Sequence, residues 1–427
     1  MLQTNILREN TEDILRRLEK RGDSNLKNLV TEALDLDKKK RERQAESDAL
    51  LAELNKASKE IGSLMKAGKR EEAELAKAKV AEIKAKSQEM KQEFGSLEAA
   101  LNSVLYQIPN IPNELVPSGK TEDDNEEIHN EGEIPDLGEH AKPHWDLAEE
   151  YKLIDFQTGV KITGAGFPLY TGKGAKLQRA LINFFLDEAD KSGYDEVIPP
   201  FVVNEDSGYG TGQLPDKEGQ MYHVTEDDLY LIPTAEVPIT NVYRDVIIDP
   251  SDLPIKHCGY SPCFRREAGS YGKDVRGLNR LHQFEKVEIV QIAKPDDSYR
   301  LLDEMVKHVK GILKKLELPY RVLRLCGGDL GFTAAITYDF EVYSAAQKRW
   351  LEVSSVSNFE AFQSNRLKCR YRVEEKKTEL VHTLNGSAMA LPRIMAALLE
   401  NNQKEDGIVI PEALQPYTKF SKIEKKK

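Results

Sequence analysis

Two stretches decide the reading of this chain: Ser261-Pro-Cys-Phe-Arg-Arg-Glu267 and Leu281-His-Gln-Phe-Glu-Lys-Val-Glu288. Both alternate as half-buried strands do, so successive side chains point to opposite faces. In the first, period two puts Arg265 and Glu267 on one face. In the second it does the same for Phe284, Lys286 and Glu288. The connecting stretch, Ala268 to Gly277, is glycine-rich and carries Lys273 and Arg276. A hairpin built this way presents an arginine, an aromatic plate and two carboxylates to one cleft. Arginine grips phosphate through bidentate hydrogen bonds, and phenylalanine stacks on a base.

Downstream, Glu352-Val-Ser-Ser355 offers an acid and hydroxyls of the kind that hold Mg2+ against phosphates. His382-Thr-Leu-Asn-Gly-Ser387 leads to Pro392-Arg393 and an apolar helix ending at Glu400. Pro392 fits a first helical turn. Arg393 then meets the positive end of the helix dipole, a poor place for a cation unless an anion sits beside it. No GxxxxGK[ST] loop is present, and no GxGxxG follows a strand, so if the chain uses ATP its phosphates must be held by side chains. Singly, each feature has a bland counterpart: a surface ion pair, a core phenylalanine, a solvated helix end. Their concurrence is what points to function.

The surrounding sequence alternates helical segments (Lys176 to Lys191, Ser298 to Leu316) with β-rich runs (Glu196 to Val203, Tyr260 to Arg265, Leu281 to Ile292, Ala335 to Tyr343, Trp350 to Ser355). Period two in those runs predicts a largely antiparallel sheet. The N-terminal part is different. Residues 25 to 106 lack proline and carry heptad series, Leu29, Leu36, Arg43, Leu50, Ala57, Leu64 and Leu26, Ala33, Lys40, Ser47, Leu54, Ile61. After Gly68 the pattern resumes as Val80, Ile83, Ser87, Met90, Phe94, Leu97, Leu101 and Val104. This predicts an antiparallel coiled-coil hairpin with its turn at Ala67-Gly68 and an arm about 55 to 60 Å long. Local flexibility is expected where Lys40, Arg43 and Ser47 interrupt the seam. Residues 1 to 22 predict one short helix, capped by Asn10 or Thr11 and stopped by Gly22. By periodicity alone the arm could be a dimerisation coil or spacer. Ile108-Pro-Asn-Ile-Pro112 ends it and opens a linker, followed by an acidic, loop-like stretch.

The chain has 427 residues, 31% charged and 40% hydrophobic, with net charge -11. That balance argues against a bulk nucleic-acid binder. Much of the acid, however, lies between Thr121 and Tyr151, and the rest is near balance. No apolar run approaches the roughly 20 residues that span a bilayer, and the start resembles no secretory signal, so a cytoplasmic protein without membrane attachment is expected. Cys258, Cys263, Cys326 and Cys369 make no disulfide framework and no zinc-ligand spacing. Buried thiols and no zinc are expected.

Phe264-Arg-Arg-Glu-Ala-Gly269 with His282-Gln-Phe-Glu-Lys-Val-Glu288 resembles the second signature motif of class II aminoacyl-tRNA synthetases, in its seryl form. Gly193-Tyr-Asp-Glu-Val-Ile-Pro-Pro-Phe201 is similar to the first motif, with Pro200 at the dimer interface. His382 to Ser387 through Arg393 is similar to the third. There the family's glycine before the arginine is replaced by Pro392. Thr234-Ala-Glu236 resembles the seryl family's serine-binding triplet. Pro143-His-Trp145, Leu153-Ile-Asp-Phe156, Ala180-Leu-Ile-Asn183, the arm and the 108–112 linker also resemble it. The resemblance runs from about residue 1 to 418.

It implies an α+β protein: a tRNA-binding helical domain over 1–106, a linker and acidic loop region over 107–142, and a class II catalytic domain over 143–427. It implies activation of L-serine by ATP with Mg2+, transfer to tRNA(Ser), possible charging of tRNA(Sec), and a homodimer whose arm reaches tRNA across the dimer. For serine it implies Thr234, Ala235, Glu236, Arg265, Glu288, Asn385 and Ser387. For ATP it implies Arg265, Arg266, Glu267, Arg276, Leu281, Phe284, Glu352, Val353, Ser354, Ser355 and Arg393. Glu352 and Ser355 would support the metal, and Arg265, Arg393 and Glu352 would act in catalysis. A relative that activates an amino acid without charging tRNA is opposed by the intact arm. An inactive coiled-coil adaptor is opposed by the joint presence of Arg265, Glu267, Phe284, Glu352 and Arg393.

Overall fold

The structure, a computed structural model, describes residues 1–139, 141–216, 219–267 and 276–425. The chain forms two compact units, one of Met1–Glu19 with Asp23–Pro109, the other of Lys20–Gly22 with the chain from Asn110 onward.

In the first unit, α1 (Leu26–Lys66) and α2 (Arg70–Leu105) form the expected antiparallel hairpin, 41 and 36 residues long. The turn is Ala67-Gly68-Lys69, and Gly68 takes a left-handed φ of 76° that only glycine adopts cheaply. Leu26, Val30, Ala33 and Ala57 of α1 are buried, as are Ala73, Ile83, Met90 and Leu101 of α2. At the interrupted seam, α1 continues unbroken. Lys40 pairs with Glu98 at 2.6 Å and lies over the Phe94 ring, and Arg43 pairs with Glu93 at 3.1 Å. Long cations thus span between the helices where apolar knobs are missing. Residues 1 to 22 hold two short helices, not one: Thr4–Glu9 and Thr11–Leu18. Asn10 makes no side-chain cap, because the Thr11 hydroxyl donates back to the Leu7 carbonyl at 2.5 Å and continues the turn. Arg8 reaches the buried carboxylate of Asp37 at 2.6 Å.

The second unit is built on an eight-stranded sheet. Its strands are β1 (Glu126–Glu131), β2 (Asp195–Glu196), β3 (Ile255–Phe264), β4 (Gln283–Ala293), β5 (Tyr320–Arg324), β6 (Ile336–Ser344), β7 (Arg349–Glu360) and β8 (His382–Ala390), in spatial order β1-β5-β6-β7-β8-β4-β3-β2. Every pairing is antiparallel except the short β2–β3 edge. Helices α3 (His144–Glu150), α4 (Gly172–Lys191), α5 (Ser298–Lys315) and α6 (Leu391–Asn401) contribute to the large core. Alternation along β4 sends Val287 and Ile289 into that core and Val290 and Ile292 into a smaller one. Glu288 therefore emerges on the smaller core's side, within a strand covered on both faces.

Three expectations need correction. The acidic stretch is not all loop, because Glu126–Glu131 is the edge strand β1. Its acids are matched by cations remote in sequence: Glu126 by Arg324, Glu127 by Arg321 at 3.4 Å and Glu131 by Lys314 at 3.0 Å. The run Glu196 to Val203 is not one strand. Pro199-Pro200 cannot donate ladder hydrogen bonds, and only Asp195–Glu196 and Val202–Val203 pair. Arg265 and Glu267 lie beyond the end of β3, where Glu267 takes a φ of +48°, so simple alternation does not orient them.

The linker is pinned rather than loose. Asn110 donates its side-chain amide to the Thr333 and Phe359 carbonyls at 2.9 and 2.8 Å. Arg21 donates to four carbonyls, of Asn110, Leu330, Gly331 and Ala334. Burial pulls the Arg21 guanidinium down to about 9. All four cysteines are buried as free thiols. Among the described residues no helix is long and apolar enough to cross a membrane.

Candidate active site

Two buried carboxylates form the centre of the site. Glu288 comes from the middle of β4, where it pairs in register with Ser387 of β8. Glu236 comes from the first turn of the helix Glu236–Asn241. Asn385, one alternation from Ser387 on β8, donates its amide to both, at 2.9 Å to Glu236 and 3.0 Å to Glu288. Thr234 donates to Glu288 at 3.0 Å and accepts the Glu236 backbone N–H at 3.3 Å. Lys286 forms an ion pair with Glu288. Burial, and next the Glu288 charge, raise the Glu236 carboxyl to about 7, while the Gln363 hydrogen bond, then Lys286 and Arg265, pull it the other way. Gln363 was not foreseen. It donates to Glu236 at 2.7 Å and accepts from Thr383 at 2.7 Å, so it fixes the Glu236 rotamer from a helix, Ala361–Leu367, that carries no motif. Ala235 is a core residue and supplies backbone only.

Beside this centre the Arg265 guanidinium stands over the Phe284 ring at 5.2 Å. Its Nε makes one long bond, 3.4 Å, to the Pro233 carbonyl. Its Nη groups make no hydrogen bond to the described residues, which leaves them for an anion. Glu267 is held at 2.5 Å by Arg280, and the Arg266 backbone N–H donates to the Gln220 carbonyl. Leu281 is buried in the core.

Glu352 and Ser355, three positions apart, would face opposite ways on a regular strand. A bulge at Val353, where Phe340 pairs with Ser354 but Glu341 with Glu352, brings both to the same open face. Val353 itself packs in the core, and Ser354 turns its hydroxyl to the Ser387 carbonyl at 2.5 Å, so neither side chain is offered to a ligand. Arg393, on the second position after the helix start, donates to the Asn279 and Glu352 carbonyls at 3.0 and 2.8 Å and lies 3.5 Å from the Glu352 carboxylate. Glu352 is thus the anion that makes a cation tolerable at this helix N-terminus. Asp339 was also not foreseen. It pairs in register with Ser355, and its Oδ1 is buried without a hydrogen-bond partner. Burial first, and then the Glu352 charge, push its carboxyl well above the usual range. An orphaned carboxylate oxygen next to an acid and a hydroxyl is a donor set that a hard divalent cation satisfies.

Arg276 makes its contacts with α3. It lies 4.8 Å over the Trp145 ring and 3.9 Å from Asp146. The loop residues 268–275, with Lys273, lie outside the described residues.

What the arrangement can do is bind a small zwitterion with a polar side chain at the two carboxylates and a flat, phosphate-bearing group along Arg265, Phe284, Arg393 and Glu352. Similarity agrees. Residues 1–112 match the family described as the seryl-tRNA synthetase N-terminal domain. Residues 221–402 match the tRNA synthetase class II core domain (G, H, P, S and T). A serine–tRNA ligase of Salinibacter ruber is 54% identical over 397 residues, 92% of this chain and 93% of the relative. One of Citrifermentans bemidjiense is 46% identical over 98% of both chains. The crystal structure of seryl-tRNA synthetase from Pyrococcus horikoshii complexed with ATP superposes with a TM-score of 0.94 at 36% identity, covering 100% of each chain. With both halves of its architecture and nearly its whole length shared, the chain belongs to the seryl-tRNA synthetase family of class II aminoacyl-tRNA synthetases.

Proposed function

We propose that the chain works as a serine–tRNA ligase through the residues just described. The observation that carries the assignment is the pair of buried carboxylates, Glu236 and Glu288, held by one Asn385 amide. One carboxylate suits the substrate ammonium and the other its hydroxyl. Alanine, lacking the hydroxyl, would leave a buried acceptor unpaired and be rejected strongly. Threonine must be excluded by volume, a weaker filter of about 1 to 3 kcal/mol per methylene. Thr234, Arg265 and Ser387 complete the serine site.

In the first step a serine carboxylate oxygen attacks the α-phosphorus of ATP. The bond to the bridging oxygen of the β-phosphate breaks, and pyrophosphate leaves. The nucleophile is already ionised, so no general base is needed, and alignment with charge stabilisation carries the rate. Arg265 binds the α-phosphate and the serine carboxylate. Phe284 stacks on adenine, Glu267 accepts from it, and Arg276 and Arg393 take the outer phosphates. Glu352 and Ser355, with Asp339 beside them, would hold Mg2+, which would neutralise phosphate charge. In the second step a ribose hydroxyl at the tRNA 3′ end attacks the adenylate carbonyl, and AMP leaves.

The arm meets the tRNA through exposed Lys38, Lys39, Lys56, Lys59 and Lys66. Interleaved with acids, they suit contact with RNA shape and backbone more than base readout. The substrate is tRNA(Ser), and tRNA(Sec) would be met by the same arm. A homodimer is supported by Ile198, 82% exposed, with Phe201 beside the short edge strand β2: an apolar segment at an open sheet edge fits a second copy. The cytoplasm is the compartment that suits this work. The test is serine-dependent ATP–pyrophosphate exchange followed in the same tube by charging of tRNA(Ser). Exchange with serine alone among amino acids, then charging, is the expected result. Exchange without charging would reassign the arm.

A further inference from the structure

His144 is fully buried at the start of α3 and touches the backbone at Gly277 and Leu278, between Arg276 and Arg280. Its Nε2 lies 2.8 Å from the Leu278 backbone nitrogen, and its Nδ1 lies 2.7 Å from Glu400. A backbone N–H can only donate, so Nε2 is the unprotonated acceptor and the ring proton sits on Nδ1, donated to Glu400. Glu400 is fully buried and collects further donors: the His144 backbone N–H at 2.9 Å, Gln347 at 2.9 Å and the Ser344 hydroxyl. Gln347 in turn accepts from the Asn279 amide at 3.0 Å, and the Asn279 carbonyl receives Arg393 at 3.0 Å. The contacts close into a ring. A single helix, α6, holds the Leu278–Asn279 backbone twice, through Arg393 near its N-terminus and through Glu400 and His144 near its other end. The fit is tight, since a Cβ on Gly277, whose φ is +68°, would stand 2.2 Å from His144 Nε2.

We infer that His144 and Glu400 form a positioning dyad that sets the register of Arg276–Arg280, and thereby the placement of Arg276 toward ATP and of Arg280 against Glu267. The dyad touches no reacting atom. Its role rests on the assignment of Arg276, Glu267 and Arg393 to ATP. A hydrophobic side chain could fill the volume, but it cannot join a backbone N–H to a buried carboxylate.

The test is pyrophosphate exchange with ATP and serine varied separately, each variant normalised by active-site titration. His144→Asn keeps a donor toward Glu400 but falls short of Leu278. His144→Gln extends a carbonyl to the position of Nε2. Loss of one buried hydrogen bond predicts that His144→Asn raises the ATP KM about fivefold to tenfold and leaves the serine KM unchanged, with most of the loss recovered in His144→Gln. A merely structural role would lower the active fraction and the melting temperature and leave both KM values alone. That result, or an equal rise in both, would overturn the dyad. Should His144→Asn fail to fold, Gly277→Ala strains the same contact from the loop side and carries the same expectation for the ATP KM. Arg276→Gln separates the two readings. If it raises the ATP KM while the His144 and Gly277 variants do not, the dyad alone is overturned. If it changes nothing, the ATP assignment fails, and the dyad's purpose with it.

Discussion

Asn385 uses one amide to hold Glu236 and Glu288 together, at 2.9 and 3.0 Å. Two buried acids close enough to share a donor repel each other unless cations or donors intervene. Lys286 and the amide do that here, and a substrate ammonium would add to it.

Replacing Asn385 by alanine removes both bonds and leaves two acids short of a donor. Hydrogen bonds to charged groups of this kind predict a rise in serine KM of about tenfold to a hundredfold. Glu288→Ala should raise it sharply as well. Exchange kinetics with serine varied measure both, and an unchanged KM for Glu288→Ala would remove that residue from the serine site.

The Glu236 carboxyl gives the site a pH signature. Its folded value is raised to about 7, chiefly by burial, against an ordinary 4.5. Between those values the folded chain binds more protons than the unfolded chain, so stability falls as pH rises from 4.5 to 7 and levels off above. The loss amounts to roughly 3 kcal/mol. Melting temperatures of the protein and of Glu236→Gln, compared from pH 4.5 to 8, should reveal it as a gap that opens with pH, the parent chain losing stability relative to the glutamine variant. The same ionisation predicts that serine KM falls as pH rises through about 7, because the ammonium needs the charged form.

Arg265→Lys keeps the charge but loses the fork that can grip two oxygens and stack on Phe284. The exchange kcat should fall by about a hundredfold to a thousandfold, in the range of a lost transition-state donor. Full activity would take Arg265 out of the reacting centre.

Deleting residues 30 to 100 removes most of the hairpin but none of the sheet. Exchange should survive and charging of tRNA(Ser) should disappear. If both vanish together, the division of labour between arm and catalytic domain is wrong.

The parts of this protein that could be read from sequence are those whose cause is local. The heptads at Leu26, Ala33 and Ala57 and the turn at Gly68 carry their own periodicity and needed no partner to be recognised. Strands β3, β4, β6 and β7 announced themselves by alternation. Strand β1 did not, because Glu126 and Glu127 are poor strand formers until Arg324 and Arg321, 198 and 194 residues away, lie against them. The bulge at Val353 is set by pairing with Phe340 and Glu341, and no pattern within Glu352-Val-Ser-Ser355 encodes it. Gln363 and Asp339 escaped for a related reason: each is an ordinary polar residue until the fold brings Glu236 or Ser355 beside it. Leu281, Ala235, Val353 and Ser354 differ in the opposite sense. They belong to the motifs, yet the Leu281, Ala235 and Val353 side chains pack in the cores and the Ser354 hydroxyl is spent on the Ser387 carbonyl.

The sheet ends differently on its two sides, and this bears on how the chain avoids misassembly. An exposed strand edge is a template on which further strands can grow. On one side that template is β1, whose three glutamates stand in ion pairs with Arg324, Arg321 and Lys314, so a second chain docking there would have to desolvate those pairs. On the other side β2 is two residues long and is followed by Pro199-Pro200, which offer no N–H to an incoming strand. Uncontrolled fibre-like stacking is therefore opposed at one border by the cost of desolvating charge and at the other by missing donors. Substituting threonine for Glu126 and Glu127 would lift the first block and leave activity as the last property to suffer, after solubility.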